Sequence, residues 1–153
     1  MMRRTSPMDI LAPFAIIAAV VYLLLRLSYE SLPPFQWFAA LPISALAIAE
    51  FVIARRVRAA VRHHPSAKPM TALAIARGVA LGKASSLVGA GISGAVAALL
   101  FTVLPDAGRT SAASHDLVVS IILLASSAAL TAAGLVLERA GIDPNAGRRD
   151  DRY

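Results

Sequence analysis

The chain has 153 residues, no cysteine and a formal net charge of +6; 58% of its residues are hydrophobic and only 16% are charged. Soluble domains average roughly 45–50% apolar and about 25% charged residues, and one this small could not cover its surface with so few polar side chains. With a mean hydropathy of +0.68, soluble globular, disordered, collagen-like and disulfide-scaffold proteins are excluded. The absence of cysteine also removes any thiolate metal site or cysteine nucleophile.

The first apolar stretch covers residues 10–27, with Arg3 and Arg4 before it and Arg26 near its end. It is longer than a signal-peptide core and no A-x-A-like site follows, so an uncleaved span is expected. The second stretch covers residues 35–54 and contains Pro42 and Glu50. The third covers 82–104, preceded by Arg77, with Lys83 at its start and no charge from residue 84 onward. The fourth covers 117–137 and has no charged residue. Each is close to the roughly 20 residues that cross about 30 Å of hydrocarbon as a helix, and none has the single polar stripe of a soluble surface helix. The expected fold is all-α, one transmembrane domain over residues 1–140 built as an integral membrane four-helix bundle. Residues 141–153 mix Gly, Pro, Asn, Asp and Arg without an apolar face, the composition of a disordered tail.

Positive charge is distributed unevenly between the links. Arg55, Arg56, Arg58, Arg62 and Lys68 crowd the central link, and Arg139, Arg148, Arg149 and Arg152 follow the fourth span. Residues 28–34 carry no lysine or arginine, and residues 105–116 carry only Arg109. The positive-inside rule places both termini and the central link in the cytoplasm of a cell whose plasma membrane the chain spans. Topology thus accounts for the net charge without nucleic-acid binding.

The segment Arg77-Gly-Val-Ala-Leu-Gly-Lys83-Ala-Ser-Ser-Leu-Val-Gly89-Ala-Gly91-Ile-Ser-Gly94 does not stand alone. With Ala54-Arg55-Arg56-Val57-Arg58 before it and Leu137-Glu138-Arg139 closing the last span, it resembles DUF3180, an actinobacterial four-span membrane family of unknown function. The resemblance covers nearly the whole chain in the same order. Many members follow L-E-R with a short cysteine-containing segment, where this chain has Ala140-Gly141-Ile142. Members often lie beside folate-biosynthesis genes, which is a neighbourhood and not an activity. The resemblance implies no catalytic or ligand-binding residue and no cofactor.

Three constellations carry the chemistry that the residues themselves suggest. Glu50 lies near the cytoplasmic end of span two, and Lys83 and Arg77 lie near the cytoplasmic start of span three. An ionised side chain costs roughly 2.5–3.5 kcal/mol at the centre of a membrane helix and less toward the interface, which an intramembrane ion pair would offset. Glu50 then reads either as a proton-linked or cation-binding carboxylate or as a structural partner, and independent snorkelling of the two side chains is the third possibility. Second, Gly78, Gly82, Ser86, Ala90, Gly94 and Ala98 repeat every four residues along span three. Small residues at this spacing let helices approach closely, within one bundle or across a homodimer seam. Each four-residue step drifts about 40° around the helix, so the ladder winds from one neighbour toward another. Third, Ile53, Val57 and Val61 share one side of a continued helix two, leaving Arg55, Arg58 and Arg62 free to meet anionic lipid head groups or to act only as topology determinants. Proline in His63-His64-Pro65 ends that helix, and adjacent histidines without a carboxylate series make no metal site.

No H-E-x-x-H, G-x-S-x-G or P-loop lysine motif is present, and Gly89-x-Gly91-x-x-Gly94 lies inside an apolar helix rather than at a strand-to-helix turn. Ser114, His115 and Asp116 look like polar caps for helix four. The residues therefore point to a non-enzymatic scaffold or accessory protein, with a basic cytoplasmic face toward lipid and a membrane protein partner. The alternative is a small secondary transporter using Glu50 as its coupling carboxylate. The orientation is directly testable with single cysteines at Ser31, Ser66 and Ser111 in this cysteine-free chain. An impermeant thiol reagent on intact cells should label positions 31 and 111 and spare 66; labelling at 66 alone inverts the topology.

Overall fold

The computed structural model describes residues 6–28, 36–62 and 70–141, and within them the chain is helical apart from short turns. Helices α1 (Pro7–Ser28), α2 (Ala40–Val61), α3 (Ala72–Val103) and α4 (Ser111–Ala140) follow in chain order, with 3-10 turns at Trp37–Ala39 before α2 and at Leu104–Asp106 after α3. All four are long and apolar enough to cross a membrane, and the fold is an all-α four-helix bundle.

The helix ends follow local chemistry rather than the edges of the apolar runs. Ser6 N–H donates to the Asp9 carboxylate at 2.8 Å, holding the start of α1. Pro42 falls in the first turn of α2, where a missing N–H costs nothing, so that helix begins at Ala40 rather than near residue 35. It then runs past residue 54 to Val61, with Arg62 as its C-cap. Thr71 accepts the Ala74 N–H at 3.2 Å and starts α3 ten residues before the expected residue 82 (82 − 72). Thr110 accepts the Ala113 N–H at 3.2 Å and starts α4 at Ser111. The cap of α4 is thus Thr110, and Asp116 lies buried inside the helix. Ser114 instead receives the N–H of Gly108, whose positive φ of 86° turns the chain between α3 and α4. His63-His64-Pro65 and the tail from residue 142 onward lie outside the described residues.

Helices α3 and α4 form the central antiparallel pair, α1 packs along α3 and α2 along α4, and α1 and α2 do not pack on each other among the described residues. The register is plain from the contacts. Gly82 meets Gly134, Gly89 meets Thr131, Ser93 meets Ser127, Val96 meets Val119 and Val103 meets Ala113. On α3 the residues at 82, 86, 89, 93, 96 and 103 thus face α4, the alternating three-and-four spacing of a left-handed helix pair. The flanking helices run parallel to their partners: Phe14 lies on Gly94 and Leu25 on Leu99, while Ser44 bonds Ser126 and Val57 packs on Leu137. Large apolar side chains such as Leu11, Ile16, Val20, Ile48 and Phe51 point outward, 49–66% exposed, a surface suited to lipid and not to water.

The four-residue ladder of α3 is buried at every member. A side chain on Gly78 would meet Val57 of α2 and Leu137 of α4; one on Gly82 would meet the α4 backbone, as Ser86 does at Gly134. Ala90 lies in a groove beside Ile10 and Phe14 of α1. Gly94 abuts the Phe14 backbone, and Ala98 packs with Leu25. The row turns from α4 to α1, as the drift of about 40° per step requires.

Gly94→Leu forces a side chain into the Phe14 backbone, and overpacking of this kind costs about 1–3 kcal/mol. At roughly 2–4 °C per kcal/mol for a chain of this size, the detergent melting midpoint should fall by several degrees. Because the contact lies within one chain, the mass by light scattering should not change. Leu99→Ile, which conserves volume at a buried site, should cost clearly less.

Candidate functional site

The inward stripe of α2 consists of Ala40, Ala47, Glu50, Ala54 and Val57, at helical spacings of three, four and seven. Four of the five are small or branched apolar residues that let α2 settle closely on α4; the fifth is a carboxylate. Ala47 packs on Leu130 and Ala133, and Ala54 packs on Leu137, so Glu50 sits between them at the level of Gly134. At that same level Gly134 touches Gly82 and Ser86 of α3. A Cβ on either glycine would lie 2.6 Å from the carbonyl oxygen of the other. Glycine at both positions brings the two backbones together and lets α2 lie over their crossing. Glu50 therefore occupies the junction of α2, α3 and α4.

Its side chain is fully buried, with 0% exposure, and neither carboxylate oxygen closes a hydrogen bond. The Ser85 hydroxyl approaches it from α3 without reaching bonding geometry. An ionised carboxylate left without a counter-charge in such a place costs several kcal/mol. Glu50 is thus the least compensated side chain among the described residues and the one whose presence in the core calls for a reason.

The expected pairing of Glu50 with Lys83 and Arg77 is not formed. Lys83 and Arg77 are both exposed, and the ion pairs among the described residues, Arg109–Asp106 and His115–Asp116 at 3.6 Å each, lie at the other end of the bundle. The reason is angular. Lys83 follows Gly82 and so shares the depth of Glu50, but the residue turned toward Glu50 is Ser85. Two residues along a helix are 200° of rotation, which sends Lys83 to the outer surface, where it can snorkel. Arg77 lies about 12 Å further along the axis from Ser85.

The exposed cations gather at one end. Arg55, Arg58 and Arg62 of α2 are exposed, as are Arg56, Arg77, Lys83 and Arg139, while Glu50 and Glu138 on the same helices are buried. No group of three or more His, Asp or Glu residues comes together among the described residues. The grooves beside α4, one lined by Phe14, Ala128 and Ala132 and the other by Ile48, Phe51 and Ala129, carry no titratable side chain.

Two hydrogen bonds between helices escaped the sequence reading. Ser44 of α2 donates to Ser126 at 3.0 Å, and Ser93 of α3 donates to Ser127 at 2.9 Å. Each α4 serine passes its own proton back to its helix, Ser126 to the Ile122 carbonyl and Ser127 to the Leu124 carbonyl. Adjacent residues on a helix point 100° apart, so one serine pair serves both neighbours of α4. The signal was the Ser126-Ser127 pair in an otherwise apolar run, since polar side chains in a span commonly join helices. Glu138, read only as part of the terminal L-E-R, is buried beside Gly82, with its backbone N–H against that glycine.

A double-substitution cycle tests this geometry. With Glu50 and Lys83 on different sides of α3, the effects of Glu50→Gln and Lys83→Met on the melting midpoint should add to within about 0.3–0.5 kcal/mol. Lys83→Met alone should stay within about 0.5 kcal/mol of wild type, as surface changes do. A coupling above about 1 kcal/mol would show that Lys83 reaches the carboxylate.

No curated protein and no solved structure matches this chain. The model of a family described as "Protein of unknown function (DUF3180)" does match, over residues 10–144. That stretch runs from within α1 to beyond the end of α4 and contains Glu50, both serine pairs and every exposed cation of the basic end. The chain is a four-helix membrane protein that belongs to the DUF3180 family.

Proposed function

We propose that the chain is a non-enzymatic scaffold or accessory protein of the plasma membrane, with both termini and the basic end of the bundle in the cytoplasm. One observation supports this reading above the others. Seven exposed cations at the basic ends of α2, α3 and α4 make no ion pair with any acid among the described residues, whereas the two acids of those helix ends are buried. A surface with that charge pattern has its counter-charges elsewhere, and anionic head groups next to a membrane protein supply about 1 kcal/mol per basic residue. The same face offers a contact for an acidic surface on a membrane protein partner or a second copy.

A transport reading has its own support in Glu50, because ionisable groups held inside a membrane protein commonly mark ion or substrate paths. Substrate-dependent movement in reconstituted vesicles, lost in Glu50→Gln, would establish it.

The scaffold reading is tested by mild-detergent purification and mass spectrometry of intact complexes. Replacing Arg55, Arg58 and Arg62 by Gln should lower the retention of anionic phospholipid, by about fivefold per arginine, and release any co-purifying protein. The melting midpoint should change little, since all three side chains are exposed. Equal lipid and protein retention in the triple variant would overturn the assignment of this face.

A further inference from the structure

Glu50 has a requirement that the scaffold reading leaves unmet and that the transport reading does not specify. Its carboxyl group is fully enclosed where α2 covers the Gly82–Gly134 crossing, with both oxygens free of hydrogen bonds. The cations around the junction face outward. On α3, Arg77 and Lys83 are exposed; on α4, Arg139 is exposed and Glu138 lies one turn beyond Gly134; on α2, Arg55 and Arg56 are exposed. None of them forms an ion pair with Glu50. What the site lacks is therefore one positive charge small enough to fit inside a closed contact.

We propose that Glu50 is a proton-binding site built into the α2–α3–α4 junction, and that loss of the proton unseats α2 from α3 and α4. A proton suits the donor set better than a metal ion does. Hard cations such as calcium or magnesium take about six or more oxygen ligands, more than the Glu50 carboxyl, the nearby Ser85 hydroxyl and the buried Glu138 one turn beyond Gly134 supply together. No further acidic or histidine side chain completes a ligand cluster among the described residues. Binding a proton removes the charge from the enclosed group and turns an acceptor into a donor that the Ser85 oxygen can accept. Releasing it restores an isolated charge, which reaches water or a counter-ion only if α2 moves outward. Movement of α2 carries Arg55, Arg58 and Arg62 with it, because all belong to the same helix. The site thus links proton occupancy to the position of the basic face. It depends only on the enclosure of Glu50 and holds whether the chain scaffolds or transports.

The experiment uses the full chain in detergent, with melting midpoints recorded from mildly acidic to alkaline pH for wild type and Glu50→Gln. Glutamine keeps the shape and cannot titrate. The folded state holding a proton that the unfolded chain has released makes stability fall as pH rises. The wild-type midpoint should drop by roughly 3–5 °C per pH unit relative to Glu50→Gln over the titrating range. Parallel profiles for the two proteins would overturn the proposal, and so would sodium ions restoring the wild-type midpoint at alkaline pH, which would reassign the site to a metal cation. Infrared spectra of the wild type supply a readout that does not need the glutamine variant to fold. A carboxylic-acid carbonyl band should be present at neutral pH, persist while the midpoint falls, fade at the higher pH where the fall levels off, and shift in Ser85→Ala. Absence of that band, or its indifference to Ser85→Ala, would show that Glu50 holds no proton at this junction.

Discussion

The contact of Gly82 with Gly134 sets the geometry of everything around it. In lipid the hydrophobic effect does not draw helices together, so close backbone approach, dispersion and hydrogen bonds between helices must do so. Where a Cβ would lie 2.6 Å from a carbonyl oxygen, only glycine permits the approach. Once α3 and α4 meet there, Gly89 fits against Thr131 and Ser93 bonds to Ser127 further along the same seam. The outer sides of the pair are then fixed. Gly94 presents a flat patch to α1, and Ser126 presents a hydroxyl to Ser44 of α2. Each flanking helix has one main partner, α2 also reaching α3 at Val57 and Gly78, and the enclosure of Glu50 follows from α2 lying over the crossing.

The existence of four helices was legible in the sequence because the signal is one-dimensional: runs of apolar residues of membrane length with charge between them. Their ends were not, since hydropathy says nothing of Thr71 or Thr110, the two side chains that close the first turns of α3 and α4. The small-residue ladder was legible as a packing row, and its drift around α3 followed from helix geometry alone. The seam with α4 was hidden inside it. Gly89, Ser93 and Val96 lie off the four-residue row and become visible only when α4 is placed opposite.

Glu50 shows the same limit more sharply. Its oddity could be read from one position, since a carboxylate inside an apolar run is costly wherever it lies. Its neighbours depended on which helices are adjacent, and no single-chain periodicity encodes that. Lys83 and Ser85 are equally plausible from sequence depth, yet a step of two residues turns the helix by 200°. The cation goes to the surface and the hydroxyl goes to the junction. Rotation about the helix axis, and not depth along it, decides which residue meets Glu50.

The charges of the bundle sort by sign at the basic end: the cations Arg55, Arg58, Arg62, Arg77 and Lys83 are exposed, while the carboxylates Glu50 and Glu138 are enclosed. In a soluble protein such acids would sit beside the arginines and cancel their field at short range. Here the enclosed acids lie behind packed helices, and the field of the cations is directed outward. Fields at a membrane surface fall off within about 8 Å at physiological ionic strength, which limits their reach to head groups and to proteins in direct contact. Exposure of the arginines and enclosure of Glu50 are thus two consequences of one helix, α2, whose inward stripe of small residues turns the carboxylate in and the guanidinium groups out.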